Sequence, residues 1–388
     1  MELFTPLTRP LAAWRDRLLG RGDAACTVPI LDGVLQPNQR LETAAVAWAA
    51  PTGSLELRDL VSDGQRLWLA DGPRLLALTP QADGRLASEE RLVAAGPITA
   101  LCALPERLGG GVAYAVAGRE VQILGGSHHG RRWTGLAERD FTAVNGLAAG
   151  GDALIVTDAS AQHAPDDWQR DLMSLGASGR VVRLGLAPVD DGKDRSDRVL
   201  ADGLRHPFGA VAHGSALWVS ESWRHRVVAL GAGDRPSPVL DQLPGYPSRL
   251  APAGGGGFWL TVFAGRTQLV EFVLREREFR QRMTASMPPE LWIAPQLRPP
   301  RSFLEPLQGG AIKQMGVLKP WAPPRSYGLV IRLDAAGRPL ASLHSRVDGQ
   351  HHGIVAAAEC AGALYVLSRG AGRVLRLDLN TLAPETGA

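Results

Sequence analysis

Long hydrophobic runs and cysteine are both scarce in this sequence. The 388 residues include only three cysteines (Cys26, Cys102 and Cys360), which lie far apart and lack the paired spacing of a metal site. No run of 18 apolar residues occurs, and Pro6 and Pro10 interrupt the first 20 residues. The pattern argues against a disulfide framework, a membrane span and a secretory signal. We therefore expect a cytoplasmic protein.

Excess charge of one sign is lacking as well. Lys and Arg total 42 against 39 Asp and Glu, a formal net charge of +3, and basic residues never form long runs. Nucleic acid is therefore not an expected partner. Glycine-rich phosphate loops, Gly-x-Ser-x-Gly elbows and zinc spacings are also missing from the sequence. We expect a small-molecule substrate, no membrane partner and no cofactor, and the sequence leaves the oligomeric state open.

Turn-forming residues are abundant, and short apolar runs recur between them. The chain has 45 glycines and 28 prolines, which implies many turns and few long helices. Six runs share a turn followed by alternating apolar residues around a large central side chain. The central residues are Trp68, Tyr114, Ile155, Trp218, Trp259 and Tyr365.

The spacing of these runs predicts the fold class. Three of the five intervals are roughly 40 to 46 residues, which is the length of one four-stranded propeller blade. We predict an all-β protein with a single six-bladed β-propeller, closed by pairing residues 42–50 with the strand that ends near Leu379. The alternative is a β-sandwich whose strands happen to look alike.

The two longer intervals predict insertions. Residues 160–178 form a polar loop, and residues 271–326 contain a helical stretch from Glu271 to about Met283 followed by proline and glycine pairs. The larger insertion is either a lid over a site or a packing appendage. We expect residues 1–40 to form an N-terminal arm with a short helix at 8–20, and residues 41–388 to form the propeller.

Several segments resemble the strictosidine-synthase-like family of six-bladed propellers, which is related to gluconolactonase- and paraoxonase-type calcium hydrolases. The most specific segment is Leu243–Pro247 before Gly257–Trp259, and the similarity spans roughly residues 40 to 380. The other similar segments are Phe141–Leu147, Ile155–Ser160, Ala216–Trp223 and Tyr327–Asp334. The resemblance implies a propeller with a site at one mouth of its central channel, and folds of this kind support many reactions.

In the resembling hydrolases, acidic and amide side chains on the innermost strands bind calcium. Counting ten residues back from each central residue gives the equivalent positions here, which are Arg58, Asn145, Phe208, Arg249 and Val355, with Thr99 in the second blade. Only Asn145 keeps the ligand type, and Ser248–Arg249 stands where the family has two oxygen ligands. Two guanidinium groups facing one channel repel a divalent cation, so we expect no metal.

The same positions favour an anion. We expect Arg58, Asn145, Phe208, Ser248 and Arg249 to bind a small organic acid, because arginine offers a planar pair of donors. Alternatively, both arginines point outward and pair with nearby carboxylates, among them Glu56, Asp59 and Asp241.

Histidines near the channel mouth are the candidates for proton transfer. We expect His352 and His206 to be catalytic, and His351 to bind substrate; the alternative for the His351–His352 pair is a solvated loop.

Three functions stay open. One is a metal-independent enzyme catalysing a lyase, condensation or hydrolytic step; the others are a calcium-dependent lactonase or esterase, and a non-catalytic propeller that binds a small molecule or a protein.

Overall fold

The protein is described here from a computed structural model. It covers residues 28–29, 31–51, 56–136, 138–186, 197–231, 236–302, 304–306, 313–314, 317–318 and 325–382. The helix expected at residues 8–20, Cys26 and parts of the insertion 271–326 lie outside these described ranges. None of the helices within them combines the length and the apolar character that crossing a membrane requires.

Most of the described chain forms antiparallel strands. They are β1 (Ala45–Ala49), β2 (Leu57–Ser62), β3 (Leu67–Asp71), β4 (Arg74–Pro80), β5 (Leu86–Val93), β6 (Ile98–Ala103), β7 (Val112–Val116), β8 (Glu120–Leu124), β9 (Arg132–Trp133), β10 (Gly135–Leu136), β11 (Arg139–Asp140), β12 (Val144–Gly150), β13 (Ala153–Asp158), β14 (Gly179–Gly185), β15 (Arg198–Leu204), β16 (Pro207–His213), β17 (Ala216–Glu221), β18 (Arg226–Leu230), β19 (Ser237–Leu240), β20 (Gly245–Pro252), β21 (Phe258–Gly265), β22 (Lys313–Gln314), β23 (Val317–Leu318), β24 (Leu329–Leu333), β25 (Pro339–His344), β26 (Ile354–Cys360), β27 (Ala363–Ser368) and β28 (Arg373–Asp378). The helices are α1 (Trp168–Met173), α2 (Gln268–Val273) and α3 (Arg277–Ser286), with 3-10 turns at Gly33–Leu35, Glu106–Leu108, Pro165–Asp167, Ser222–Arg224, Pro289–Leu291 and Leu379–Thr381.

Six four-stranded sheets form the blades of a propeller. Blades 1 to 4 are β2–β5, β6–β9, β12–β15 and β16–β19; blade 5 is β20, β21, β24 and β25. Blade 6 has the order β1-β28-β27-β26, so a strand from near the start of the chain completes the last sheet. Ala45 pairs with Arg376 there, which confirms the predicted closure. The first strands of successive blades lie side by side, and β26 lies beside β2, so they form a closed ring.

Burial follows the position of each strand within its blade. All five residues of β3 and all six of β27 are buried, whereas β5 is largely exposed. The second strands are covered by neighbouring blades on both faces, so they consist mainly of apolar residues. The outer strands meet water and therefore carry charged residues.

The counted channel positions coincide with bulges in all six first strands. In each strand the pairing with the second strand shifts register at the counted residue, where one extra residue is accommodated. These positions are Arg58, Thr99, Asn145, Phe208–Gly209, Ser248–Arg249 and Val355. Bulges redirect side chains and occur next to active sites. The ring of inner strands therefore presents these residues at one mouth of the channel.

Both insertions emerge at this same mouth. Residues 160–178 follow β13, and Asp158 at the end of β13 pairs with Val144 at the start of β12, beside the bulge. The segment after β21 leaves its blade in the same way. The expected polar loop at 160–178 contains α1, whose Leu172 and Met173 are buried, and the expected single helical stretch is two helices, α2 and α3.

Candidate functional site

A pocket lies at the mouth of the channel, where the bulged strands meet the two insertions. Its free volume is about 40 Å³, room for little more than water. Aromatic and aliphatic side chains form most of the wall, and a few polar groups converge on it. The lining residues are Arg58, Thr99, Asn145, Ala159, Pro165, Trp168, His206, Phe208, Phe263, Leu297, Val355 and Arg369.

The channel below the pocket is crossed by a buried ion pair. Arg249 of β20 donates to Asp59 of β2, two strands that are not neighbours in the ring, and both side chains are almost completely buried. Asp59 also accepts the backbone N–H groups of Leu60 and Leu101. The guanidinium of Arg249 lies 5.8 Å from the ring centre of Phe208. A cation supplied by the chain itself therefore occupies the channel.

This pair corrects the expectation that Arg249 offers a free fork to a substrate. Arg249 points into the channel and not outward as the alternative expectation had it. It does pair with Asp59, as that alternative proposed, and this carboxylate neutralises its charge. Complete burial raises the pKa of the Asp59 carboxyl, while Arg249 acts in the opposite direction. Among the described residues no group of carboxylates suited to calcium comes together, and Asp59 in the channel is committed to a guanidinium.

The mouth of the pocket holds two arginines and one aspartate. Arg58 from the bulge of β2 binds Asp166 of the insertion through both nitrogens, one contact being 3.0 Å. The Nη2 atom of Arg369, just after β27, lies 3.4 Å from the same carboxylate. Burial lowers the pKa of Arg369 to about 10, and the charge of Arg58 adds to this effect. The carboxylates of Asp166 and Glu56 act on Arg369 in the opposite direction.

Asn145 contributes an amide with unused hydrogen-bonding capacity. Asn145 is only 6% exposed, and its Oδ1 lies 3.1 Å from the hydroxyl of Thr157. Its Nδ2 has no hydrogen-bond partner in the described part of the chain. A buried amide nitrogen without a partner is costly, so this donor is suited to a ligand or a water molecule in the pocket.

His206 is held rigidly by two residues. Its Nδ1 lies 3.3 Å from Oδ2 of Asp171 on α1, and its ring stacks on Trp223 with centroids 4.0 Å apart. Trp223 Nε1 donates to the same oxygen at 2.7 Å. Burial opposes ionisation of Asp171, but these donors lower the pKa of its carboxyl. The Nε2 of His206 has no protein partner within the described ranges, and the ring lines the pocket.

The backbone of His206 is itself unusual. Its φ is +59°, in the left-handed region that non-glycine residues rarely adopt. Strain of this kind persists only where the surroundings impose it, and it is concentrated at functional sites. The strained turn aims the imidazole between α1 and the start of β16.

Three other predicted site residues do not line the pocket. His352 is fully buried, with Nδ1 2.7 Å from Ser326 Oγ and Nε2 2.7 Å from the carbonyl of Arg346. Both ring nitrogens of this residue are occupied, and burial lowers its pKa. His351 Nδ1 lies 2.8 Å from the carbonyl of Leu41, so it ties the arm to blade 6.

Ser248 is also structural. It is completely buried, and its hydroxyl lies 2.8 Å from that of Thr261 and 3.3 Å from the carbonyl of Ile354. Hydroxyls of the second strands form similar links between the other blades. Thr157 donates to the carbonyl of Phe208 at 2.6 Å, and Ser220 donates to that of Ser248 at 2.6 Å.

Glycine allows these inner strands to approach so closely. A Cβ at Gly146 would lie 2.0 Å from the carbonyl oxygen of Phe208 and 3.2 Å from Nη1 of Arg249. A side chain at Gly146 is therefore incompatible both with the next blade and with the arginine in the channel.

Sequence reasoning missed five residues that shape the pocket: Trp168, Asp166, Asp171, Phe263 and Arg369. The first three belong to the insertion after β13. Their chain position carried a usable signal, because a segment that follows a second strand must emerge at the mouth where the first strands begin. Phe263 and Arg369 carried a signal as well, because each lies four residues after the central residue of its run, as the pocket residue Ala159 does after Ile155.

Comparison with solved structures shows the same architecture elsewhere. A gluconolactonase from Xanthomonas campestris aligns with a TM-score of 0.52 at 14% identity, over 91% of this chain and 95% of that one. Regucalcin from Agrobacterium tumefaciens, a calcium-binding protein, aligns at 0.49 and 11% identity over 86% and 93% of the two chains. Virginiamycin B lyase from Staphylococcus aureus aligns at 0.44 and 11% identity over 84% and 81%. TM-scores below 0.5, as in the last two, do not bear on function.

No protein-family model matches the chain, and no curated protein matches its sequence. The chain is thus a six-bladed β-propeller with a fold similar to that of the gluconolactonase. Its predicted membership of the strictosidine-synthase-like family stays a prediction.

Proposed function

We propose that this propeller is an enzyme that uses His206 as a general base on a small organic substrate, without a resident metal. The observation that carries the proposal is the pairing of His206 with Asp171, which holds the imidazole against the pocket with Nε2 available. A carboxylate that binds one ring nitrogen orients the other toward a substrate or a water molecule. Asp171 acts as a positioning residue.

The surroundings favour direct proton transfer over a covalent intermediate. The hydroxyl of Thr99 donates to the carbonyl of Val144 at 2.6 Å, and burial raises the pKa of Cys102 to about 12. Neither group is an activated nucleophile. A lyase step, in which the base removes a proton from carbon, or a hydrolysis in which it activates water, fits this arrangement.

Arg249 supports the metal-independent form of the proposal. Its guanidinium crosses the channel at the level of the bulges, where the resembling hydrolases bind calcium, and it takes up the carboxylate of Asp59 that a calcium ion would need. Asn145 supplies a donor that can hold a substrate oxygen, and Trp168, Phe208 and Phe263 supply an apolar wall. Such a pocket suits a compound with a polar end and an apolar body.

The test is turnover of aryl esters, lactones and β-hydroxy acids by the wild-type protein and by His206→Asn. Asparagine tolerates the left-handed backbone of this position, so the variant keeps the turn while it removes the base. We expect a loss of about 10²- to 10⁴-fold in kcat. His213→Asn, which changes a histidine packed between Trp218 and Phe258 away from the pocket, is the matched control.

A non-catalytic binding propeller is the second candidate, and it is favoured by the Nδ2 of Asn145, which has no hydrogen-bond partner among the described residues and can hold a ligand without any reaction. In that case the wild-type protein binds a compound from the panel without turnover, and His206→Asn changes affinity only. Turnover that is equal in wild type and His206→Asn contradicts the proposed general base.

A further inference from the structure

We propose that Arg58 and Arg369 form a carboxylate-binding subsite, and that Asp166 of the insertion occupies this subsite as an internal competitor of the substrate. The inference rests on the proposed function, because it names the substrate class for the same pocket. It replaces the expected role of Arg249, whose charge Asp59 already neutralises.

The geometry of Asp166 is that of a bound carboxylate. Arg58 presents two nitrogens to its two oxygens, the arrangement in which guanidinium groups recognise carboxylates. Arg369 adds a second positive group at 3.4 Å. Both arginines line the pocket. An acid end on a substrate would therefore meet a preformed set of donors.

Exposure distinguishes the competitor from the subsite. The side chains of Arg58 and Arg369 are 10% and 15% exposed, whereas that of Asp166 is 60% exposed. The arginines are fixed in the wall, but Asp166 belongs to a 3-10 turn at the surface. Rotation of its side chain into water would remove the contacts of Asp166 with both arginines and leave α1, with Asp171, in place.

The free volume of the pocket agrees with a competitor. About 40 Å³ is too little for an organic acid larger than a few atoms. Pro165 and Trp168 line the pocket, and Asp166 between them in sequence holds the lining residue Arg58. Entry of a substrate therefore requires the turn at Pro165–Asp167 to give way. The substrate carboxylate would compensate for the lost ion pair by making the same contacts.

Binding experiments test this without reference to turnover. Acetate, butyrate and phenylacetate are titrated into the protein by calorimetry, alongside acetamide, butyramide and phenylacetamide as neutral counterparts. We expect the acids to bind more tightly than the amides. In Asp166→Asn, the affinity for the acids should rise about tenfold, while the affinity for the amides stays unchanged, because a competing charge has been removed.

Two further variants complete the design. Arg369→Met keeps the bulk and removes the charge, and it should weaken binding of the acids by about ten- to a hundredfold. Asp167→Asn changes the neighbouring exposed acid, which makes no ion pair in the described structure, and should bind the acids like the wild type. Asp166→Ser replaces Asp166→Asn if the latter melts at a lower temperature than the wild type.

Equal binding of acids and amides, or unchanged affinity for the acids in both Asp166→Asn and Asp166→Ser, overturns the subsite. Tight binding of acids with no turnover overturns the enzyme proposal and leaves the subsite standing. If His206→Asn loses turnover but the protein binds acids no better than amides, the subsite is overturned and the enzyme proposal stands.

Discussion

The guanidinium of Arg249 gives the channel a positive charge that comes from the chain itself. Its partner Asp59 is 190 residues away in sequence, and neither group is exposed enough to be compensated by water. In a buried pair of this kind, the attraction between the two charges offsets the cost of removing them from water. Loss of one partner leaves the other charge buried and uncompensated.

Arg249→Met should therefore destabilise the fold by about 3 to 5 kcal/mol, because Asp59 is left buried without its cation. The double variant Arg249→Met with Asp59→Asn should regain part of this loss, since it removes the stranded charge. Unfolding in urea measures both values. Arg91→Met, which breaks an exposed pair with Glu89, is the control, and its expected cost is below about 1 kcal/mol.

If Arg249→Met costs no more than Arg91→Met, the side chain of Arg249 is not held in the channel in the way described. If the double variant is as unstable as the single one, Asp59 contributes through its backbone hydrogen bonds instead of through its charge.

Helix α2 is anchored to the propeller by a buried polar cluster. Glu271 on α2 accepts from Nε2 of His225, 3.2 Å away, and pairs with Arg266, whose Nε lies 3.2 Å from the same oxygen. His225 in turn contacts the carbonyl of Gly245 at 3.0 Å. One carboxylate thus ties the second insertion to the ends of β17 and β21.

The strength of this anchor depends on pH. Burial would raise the pKa of Glu271, but His225 and Arg266 lower it from 4.5 to about 2. A carboxyl with a lowered pKa stabilises the folded state above pH 4.5, and this contribution is lost as the pH falls toward 2. Glu271→Gln should therefore cost about 2 to 3 kcal/mol at pH 7, and the difference from the wild type should shrink steadily below pH 4.5.

Denaturant unfolding of wild type and variant at several pH values between 7 and 3 provides the comparison. Glu278→Gln on α3, an exposed acid, is the control and should differ little from the wild type throughout. A stability difference for Glu271→Gln that is independent of pH would show that packing, and not charge, holds α2 in place.

The ion pair of Arg249 and Asp59 leads to an expectation about how the protein responds to calcium. Because Arg249 crosses the channel and Asp59 is committed to it, purified protein should hold no stoichiometric calcium after desalting. Melting temperatures with calcium and with a chelator should be the same. One calcium per chain, with a drop of several degrees in chelator, would show that the charge argument is wrong.

The repeat in the sequence determined the number of blades, the closure by a strand from near the start of the chain, and the bulged positions of the inner ring. These features follow from chain order and from alternation along single strands, both of which are local. The place of the insertion with Asp166 and Asp171 at the mouth could have been inferred in the same way, because the end of a second strand lies beside the start of the first.

The partner that each side chain takes depends on how the blades are arranged around the channel. Arg58, Arg249, His206 and His352 all follow from the sequence as residues near one mouth, yet one binds the insertion, one crosses the channel, one faces the pocket and one turns into the core. Long side chains select partners by distance and burial among groups that are far apart in sequence, as Arg249 and Asp59 are. Alternation along a strand carries no information about those distances. The pairings in the site therefore could not be inferred from the sequence without the three-dimensional arrangement of the blades.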